Sequence, residues 1–418
     1  MRNFIEELKW RGMIHDIMPG TEEELMKGPA SAYVGIDPTG DSLHIGHLVS
    51  IMILKHFQAC GHKPYALVGG ATGMIGDPSM KSQERNLLDE ETLAHNVKCI
   101  KAQLARFLDF NSDAPNKAEL VNNYDWMKDY TFINFTRDIG KLITVNYMMS
   151  KDSVKKRLSR DSSEGMSFTE FTYQLLQGYD FLYLYQHYNV RLQLGGADQW
   201  GNITAGTDLV HRMRGKTAYG LTFPLLLDST GKKFGKSEGN ALFLNGEMTS
   251  VFDWYQYFLR TPDADVIRYL KVFSMRSLDE IAALEAEMKA HPEARIPQKA
   301  LAEELTRLVH GEEGLKKAQA ATEALYAKKT SADIAAAANV PSANVALADC
   351  VGKAVFAVAA AAGMFKSNGE ARRMAAQGGL SLNDAKVDDK RVFAADDVKD
   401  GVAVLRSGKK NYFVLRFA

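Results

Sequence analysis

The chain has 418 residues, 46% apolar and 24% charged, and its 51 basic and 51 acidic side chains cancel to a net charge of zero. This length exceeds what one hydrophobic core usually serves, so two or three domains of an ordinary soluble globular protein are expected. No stretch approaches the run of about 20 apolar residues that spans a bilayer. Cys60, Cys99 and Cys350 form no CxxC pair, which excludes a zinc ribbon or disulfide framework and fits a reducing cytoplasm.

Residues 1–11 read as an amphipathic helix with acids inside its apolar pattern, and not as a secretory signal. The run Ala32-Tyr33-Val34-Gly35-Ile36 reads as a buried strand, and Asp37-Pro38-Thr39-Gly40 as the turn that ends it. A helix with apolar residues at Leu48, Ile51, Met52, Leu54 and Phe57 follows, then a strand over Pro64–Gly70. This β-α-β spacing is that of a doubly wound parallel sheet. Part of the polar and helical sequence at 73–165 reads as an insertion between two halves of the sheet. A helix over Phe168–Tyr185 and strands at Val190–Leu194 and Leu221–Leu227 complete the pattern.

Beyond residue 240 the pattern is helical: Val251–Arg260, Asp263–Val272, Ser277–Ala290 and Ile296–Tyr326. The Ala-, Ser- and Lys-rich stretch Lys328–Asn344 is the best linker. From Cys350 onward lie 12 of the basic residues but only 7 of the acidic ones, a basic module on an acidic body that suits an anionic partner. This module reads as an Ala-rich helix, a second helix with Arg372 and Arg373, then strands such as Gly379–Leu382 and Tyr412–Phe417.

Two segments carry the chemistry. In Asp37-Pro38-Thr39-Gly40-Asp41-Ser42-Leu43-His44-Ile45-Gly46-His47 a tight turn runs into a helix, with Asp41 or Ser42 as the expected cap. The helix start offers N–H groups and positive dipole character to a phosphate. His44 and His47, three apart, share one face. Surface histidines or a zinc pair are the bland alternatives, but no third ligand of matching spacing is near, so no metal site is expected. The second segment, Lys233-Phe234-Gly235-Lys236-Ser237, sits in a glycine-punctuated polar loop whose lysines suit a leaving phosphate. Taken alone it reads as a solvated basic loop.

In this order the two segments resemble the paired signatures of class I aminoacyl-tRNA synthetases. The blocks Gly69–Pro78, Asn122–Trp126, Tyr173–Asp180 and Gly195–Asn202 narrow the resemblance to the bacterial tyrosyl-tRNA synthetase family, from about Tyr33 to Asn240. The family's lysine loop is usually Lys-Met-Ser-Lys-Ser, so both lysines are expected to keep their role while Phe234 and Gly235 can vary.

The resemblance implies a tyrosine site of Tyr33, Thr72, Asp77, Tyr173, Gln177, Asp180 and Gln199. Tyr173 and Gln177 are four apart and project from one helix face. Asp180 accepts a bond from the substrate phenol, while Tyr33, at the end of the first strand, donates one. An ATP site of Gly35, Asp37, Thr39, His44, Gly46, His47, Gly196, Asp198, Lys233, Lys236 and Ser237 is likewise implied. Lys81 and Arg85 are implied as cations on pyrophosphate in the transition state, beside the catalytic His44, His47, Lys233 and Lys236. Mg2+ is expected with ATP, held mostly by phosphates and water, with no tightly bound cofactor.

The tail resembles the small RNA-binding fold named for a ribosomal small-subunit protein, and implies RNA contacts from Arg372, Arg373, Lys386, Lys409 and Lys410. Basic residues around 151–160 and 211–216 are candidates for the tRNA acceptor arm. The expected fold is α/β: a doubly wound Rossmann-type catalytic domain (1–240, with an insertion around 73–165), an α-helical domain (241–327), a linker (328–349) and a small α+β RNA-binding domain (350–418). The implied activity is tyrosine–tRNA ligation, with L-tyrosine, ATP and tRNA(Tyr) as partners, in a cytoplasmic homodimer joined through the apolar region around Phe132–Met149. The alternatives are a tryptophanyl relative, which needs a different acceptor arrangement for an indole, and a non-catalytic RNA-binding paralogue.

Overall fold

The computed structural model describes residues 2–79, 88–158, 165–232, 234–237, 240–326, 340–408 and 411–417. The chain forms two compact units, residues 1–249 with 258–309, and residues 250–257 with 310–418.

The first unit begins with α1 (Phe4–Arg11), β1 (Asp16–Ile17) and α2 (Thr21–Met26), then β2 (Ser31–Ile36), α3 (Ile45–Ala59) and β3 (Lys63–Val68). There follow α4 (Glu90–Leu104), β4 (Glu119–Asn122) and the short helices α5 (Tyr124–Met127), α6 (Phe132–Asp138), α7 (Val145–Met149) and α8 (Asp152–Leu158). After them come α9 (Phe168–Tyr188), β5 (Val190–Gly196), α10 (Trp200–Arg214), β6 (Tyr219–Phe223) and the small hairpin β7 (Lys236–Ser237) and β8 (Asn240–Ala241). Helices α11 (Val251–Leu259), α12 (Asp263–Phe273), α13 (Leu278–Ala290) and α14 (Ile296–Tyr326) follow, with residues 251–257 of α11 and 310–326 of α14 falling in the second unit; α14 is broken at Gly311, where φ is 72° and ψ 178°.

The six-stranded sheet has the order β1-β6-β5-β2-β3-β4 and is parallel except for β1. β2 and β3 read as near-continuous apolar runs, as strands covered on both faces do, whereas Arg191 and Gln193 interrupt β5. From β2 the chain winds outward through β3 and β4; from β5 it winds the other way through β6. The order therefore reverses between β2 and β5, where a sheet of this kind opens a crevice at its carboxyl edge. The ladder between them ends at the pair Tyr33–Gln193. Beyond it, β2 continues to pair with β3 as far as Ile36, and β5 with β6 as far as Gly196.

The sheet differs from the sequence reading in places. Tyr33 lies in the middle of β2, not at its end. β4 pairs with β3 inside the stretch read partly as an insertion, and its half-exposed Glu119 and Asn122 disguise it as polar loop. Helix α3 starts at Ile45 with His44 as its N-cap, not Asp41 or Ser42. The Ser42 hydroxyl is occupied elsewhere, donating to the Leu43 carbonyl and accepting from Gln103 and from the Asn245 N–H. The stretch read as one helical domain is divided between the two units.

In the second unit a five-stranded sheet has the order β11-β10-β12-β13-β9, with β9 (Ser342–Val345), β10 (Leu380–Leu382), β11 (Ala385–Val387), β12 (Val402–Ser407) and β13 (Asn411–Phe417). Helices Val355–Ala361 and Asn368–Ala376 pack on it through Val355, Val358, Ala375, Leu380, Leu405 and Leu415. β9 pairs in parallel with β13, so Ser342–Val345 belongs to this sheet and not to the expected linker. The rest of that linker, up to residue 339, lies outside the described residues, as do Lys81, Arg85, Lys233, Lys409 and Lys410.

Candidate active site

A pocket of about 510 Å³ opens in the first unit at the crevice between β2 and β5. Tyr33, Thr72, Asp77, Tyr173, Gln177, Asp180 and Gln199 line it, and so do Gly35, Asp37, Thr39, His44, Gly46, His47, Gly196 and Asp198. All the described side chains expected to bind tyrosine or ATP thus meet in one cavity. Lys236 and Ser237 form β7, but their side chains lie outside the described set.

At one end of the pocket, α9 presents Tyr173, Gln177 and Asp180 at spacings of four and three, which puts them on one face. Asp180 is 2% exposed. Its Oδ2 accepts from Asn123 Nδ2 at 2.9 Å and its Oδ1 from Trp126 Nε1 at 2.9 Å. Burial pushes its carboxyl up to about 7, with the charge of Asp37 adding to the rise and the Asn123 and Trp126 donors opposing it. Tyr33 is equally buried, and its hydroxyl has no partner among the described residues. Burial, and next the charge of Asp180, raise the Tyr33 phenol well above its ordinary value, so it stays a neutral donor.

The same end is tied together by a chain of hydrogen bonds. Tyr173 donates to Asp37 Oδ2 at 2.8 Å, and Thr72 to Asp37 Oδ1 at 2.7 Å. Asn123, fully buried, donates from one Nδ2 to both Thr72 Oγ1 (3.0 Å) and Asp180 Oδ2, while its Oδ1 accepts from the Ala71 N–H. Gly69 is required here, because a Cβ at that position would collide with Asp37 and Thr72. Towards α10, Gln199 donates to Asp77 (2.7 Å) and to Asp198 (3.1 Å).

At the other end the two histidines form an uncommon cap. His44 Nδ1 accepts from the Gly46 N–H, and His47 Nδ1 accepts from the His44 N–H. With both Nδ1 atoms accepting, both protons sit on Nε2. The rings stack 3.9 Å apart. Burial lowers the His44 pKa, so this ring remains a neutral donor. The two Nε2 N–H donors and the positive end of the α3 dipole together suit an anion on the pocket wall.

Three side chains were missed or misjudged in the sequence. Asn123 and Trp126 stood in a matching block without a role. Gln193 is 2% exposed, borders the pocket and carries an Oε1 without a partner among the described residues; a glutamine inside the apolar run of β5 was the available signal. The expectation that Phe234 and Gly235 vary freely also needs correction. Phe234 packs against Tyr269 and Phe273 with ring centroids 4.4 and 5.3 Å apart, and Gly235 has φ 82° with Ile45 where a Cβ would sit.

Among the basic candidates, Arg157 is buried in a two-pronged pair with Glu170, at 3.0 and 2.7 Å. Lys151 donates inward to Tyr147 and Thr204. Both are internal ties, whereas residues 211–216 are exposed. In the second unit Arg372, Arg373 and Lys386 are exposed, and Arg372 pairs with Asp389 at 3.1 Å.

Residues 25–327 match the family model for class I tRNA synthetases (W and Y), and residues 333–415 that for the Tyrosine--tRNA ligase SYY-like C-terminal domain. The Tyrosine--tRNA ligase of Parabacteroides distasonis is 56% identical, and that of Porphyromonas gingivalis W83 55%, each over 99% of both chains. A crystal structure of a C-terminally truncated mitochondrial tyrosyl-tRNA synthetase from Coccidioides posadasii superposes with a TM-score of 0.68 at 32% identity, covering 76% of this chain and 91% of its own.

Proposed function

For a chain that belongs to the class I tRNA synthetases (W and Y) and is a tyrosine–tRNA ligase, we propose the following division of labour within the pocket. The reaction joins tyrosine and ATP into tyrosyl-adenylate with release of pyrophosphate, then moves the tyrosyl group to the terminal ribose of tRNA. The substrate phenol donates to Asp180 and accepts from Tyr33. Tyr173, Gln177 and Asp77, with Thr72 behind them, receive the ammonium group, and Gln199 and Gln193 orient the carboxylate end. Gly35, Asp37, Thr39, Gly196 and Asp198 hold the nucleoside. As the tyrosine carboxylate attacks the α-phosphorus, His44 and His47 donate from Nε2 to the phosphate oxygens, and the positive end of the α3 dipole adds to them. Lys233, Lys236 and Ser237, with Lys81 and Arg85, take the departing pyrophosphate.

Among the described residues no cluster of three His, Cys, Asp or Glu side chains is placed to hold a metal. A Mg2+ travelling with ATP would be held through phosphate oxygens and water, where it would neutralise their charge. Arg372, Arg373, Lys386, Lys409 and Lys410 hold the tRNA backbone, and residues 211–216 its acceptor arm. Phe132 and Ile133, 71% and 75% exposed, support a homodimer through α6 and α7. No helix among the described residues is long and apolar enough to cross a membrane. The three scattered cysteines, with no CxxC pair, support a cytoplasmic location.

The observation that carries this reading is the Tyr33–Asp180 pair, a buried donor and a buried acceptor bordering one cavity. Such partners reject phenylalanine because they would be left unpaired, an effect for which tyrosyl-tRNA synthetases are themselves the standard illustration. Pyrophosphate exchange should require tyrosine and ignore phenylalanine and tryptophan, and Lys236→Ala should lower it at least about 100-fold. Exchange without added tyrosine, or equal exchange with phenylalanine, would overturn the assignment.

A further inference from the structure

The loop bearing the lysine signature is pinned to one face of α12 at two points. Asp265, in the first turn of α12, is 1% exposed. Its Oδ2 accepts from both the backbone N–H (3.0 Å) and the hydroxyl (2.8 Å) of Ser229, and its Oδ1 accepts from Arg268 Nη2 at 2.6 Å. The same Arg268 nitrogen reaches the Leu227 carbonyl at 2.5 Å. One turn further along, Tyr269 and Phe273 take the ring of Phe234.

Between these two attachments the chain is a closed turn. Asp228 accepts from the N–H groups of Thr230 and Lys232, and the Phe234 N–H donates to the Leu226 carbonyl. Residues 265, 268, 269 and 273 recur at helical spacing, so a single stripe of α12 holds both arms of the turn. A carboxylate this deeply buried is tolerated because all its partners are supplied. Those partners are the loop itself and the arginine that also grips it.

We propose that Asp265 is a positioning residue for adenylate formation: it fixes the base of the lysine loop so that Lys236 reaches the departing pyrophosphate. This rests on the role given above to Lys236. Phe234 anchors one arm. Without Asp265 the other arm loses both Ser229 bonds and the ion pair that orients Arg268.

The test is Asp265→Asn, which keeps the shape but sets an amide donor against one of the two donors, Ser229 or Arg268. Single-turnover formation of tyrosyl-adenylate should slow about tenfold or more, with little change in the Kd for tyrosine in the absence of ATP. Ser229→Ala should shift the rate in the same direction, by less, and carries the same test if Asp265→Asn does not fold. The decisive measurement is the cycle with Lys236→Ala. If Asp265 acts through the lysine, Asp265→Asn should cost less than about twofold in the Lys236→Ala background.

An undiminished cost there, or an equal loss of tyrosine affinity, would show a general structural role and overturn the proposal. So would a rate within twofold of the parent in folded Asp265→Asn. Retention of full activity by Lys236→Ala would instead remove the premise, the role of the lysine itself.

Discussion

The two ends of the pocket are built differently. At the end proposed for tyrosine, Tyr173, Asp37, Thr72, Asn123 and Asp180 form one chain of hydrogen bonds, with the Tyr33 hydroxyl buried beside it. At the end proposed for the phosphates the groups are two imidazoles at a helix start and Lys236 on a hairpin, held by backbone geometry and by pins on α12. Selection between amino acids needs fixed partners, because a buried hydrogen-bonding group discriminates only where it cannot relax. Stabilising charge that develops during reaction needs donors aimed at where that charge will appear. Changes at one end should therefore leave constants belonging to the other end nearly untouched.

The largest expected break in that separation is Asp180→Asn. A carboxylate offers two acceptor oxygens to Asn123 and Trp126 and still has a lone pair for the substrate phenol. An amide has only one acceptor, so a donor must face a donor. The kcat/KM for tyrosine should fall about 100-fold or more, and the preference over phenylalanine should shrink with it. The KM for ATP should change less than about threefold; a comparable rise in both constants would show that the two ends are one unit.

A smaller effect is expected from Asn123→Ala. Asn123 touches no substrate in the proposed arrangement, yet its amide joins Asp180 to Thr72, and through Thr72 to Asp37. Its loss leaves one Asp180 oxygen without its donor and uncouples the residues flanking the two substrates. Hydrogen bonds to charged groups of this kind correspond to about 10- to 100-fold, expected in KM for tyrosine more than in kcat. Steady-state kinetics with tyrosine and phenylalanine would check it, and a pure kcat effect would contradict it.

This difference in construction also explains what could be read from the sequence. The β-α-β alternation around Ala32–Val68 and the matching blocks were legible because parallel strands and phosphate-binding helix starts leave local patterns. The helix start was legible but its cap was not, since His44 replaces the usual short polar residue. Edge strands escaped for another reason. β4 and β9 are partly exposed and polar, as edges commonly are, so both looked like loop. The support given to Asp180 by Asn123 and Trp126 links residues more than 50 positions apart, and no local pattern records it. Phe234 looked replaceable because its partners, Tyr269 and Phe273, lie in a segment read as another domain.

The smallest effect is a pH dependence confined to the tyrosine end. Burial raises the Asp180 carboxyl to about 7 before substrate binds. The phenol needs an acceptor, and the ionised carboxylate supplies it; the protonated form instead brings a proton of its own into a site already filled by two N–H donors. Tyrosine binding should therefore weaken as pH falls through 7, with KM rising about fivefold between pH 7 and 6 if this one group governs it. KM for ATP should not follow.

The stability of the unliganded protein carries the opposite sign. A folded-state pKa above the unfolded value means that this group's contribution is fully present below about pH 4 and is lost as pH rises towards 7. Tyrosine compensates by stabilising the ionised form, so the rise in Tm on adding tyrosine should be larger at pH 8 than at pH 6. Asp180→Asn should flatten both profiles. A tyrosine KM unchanged from pH 6 to 8 would mean that the carboxyl is already ionised throughout, with the donors of Asn123 and Trp126 outweighing its burial.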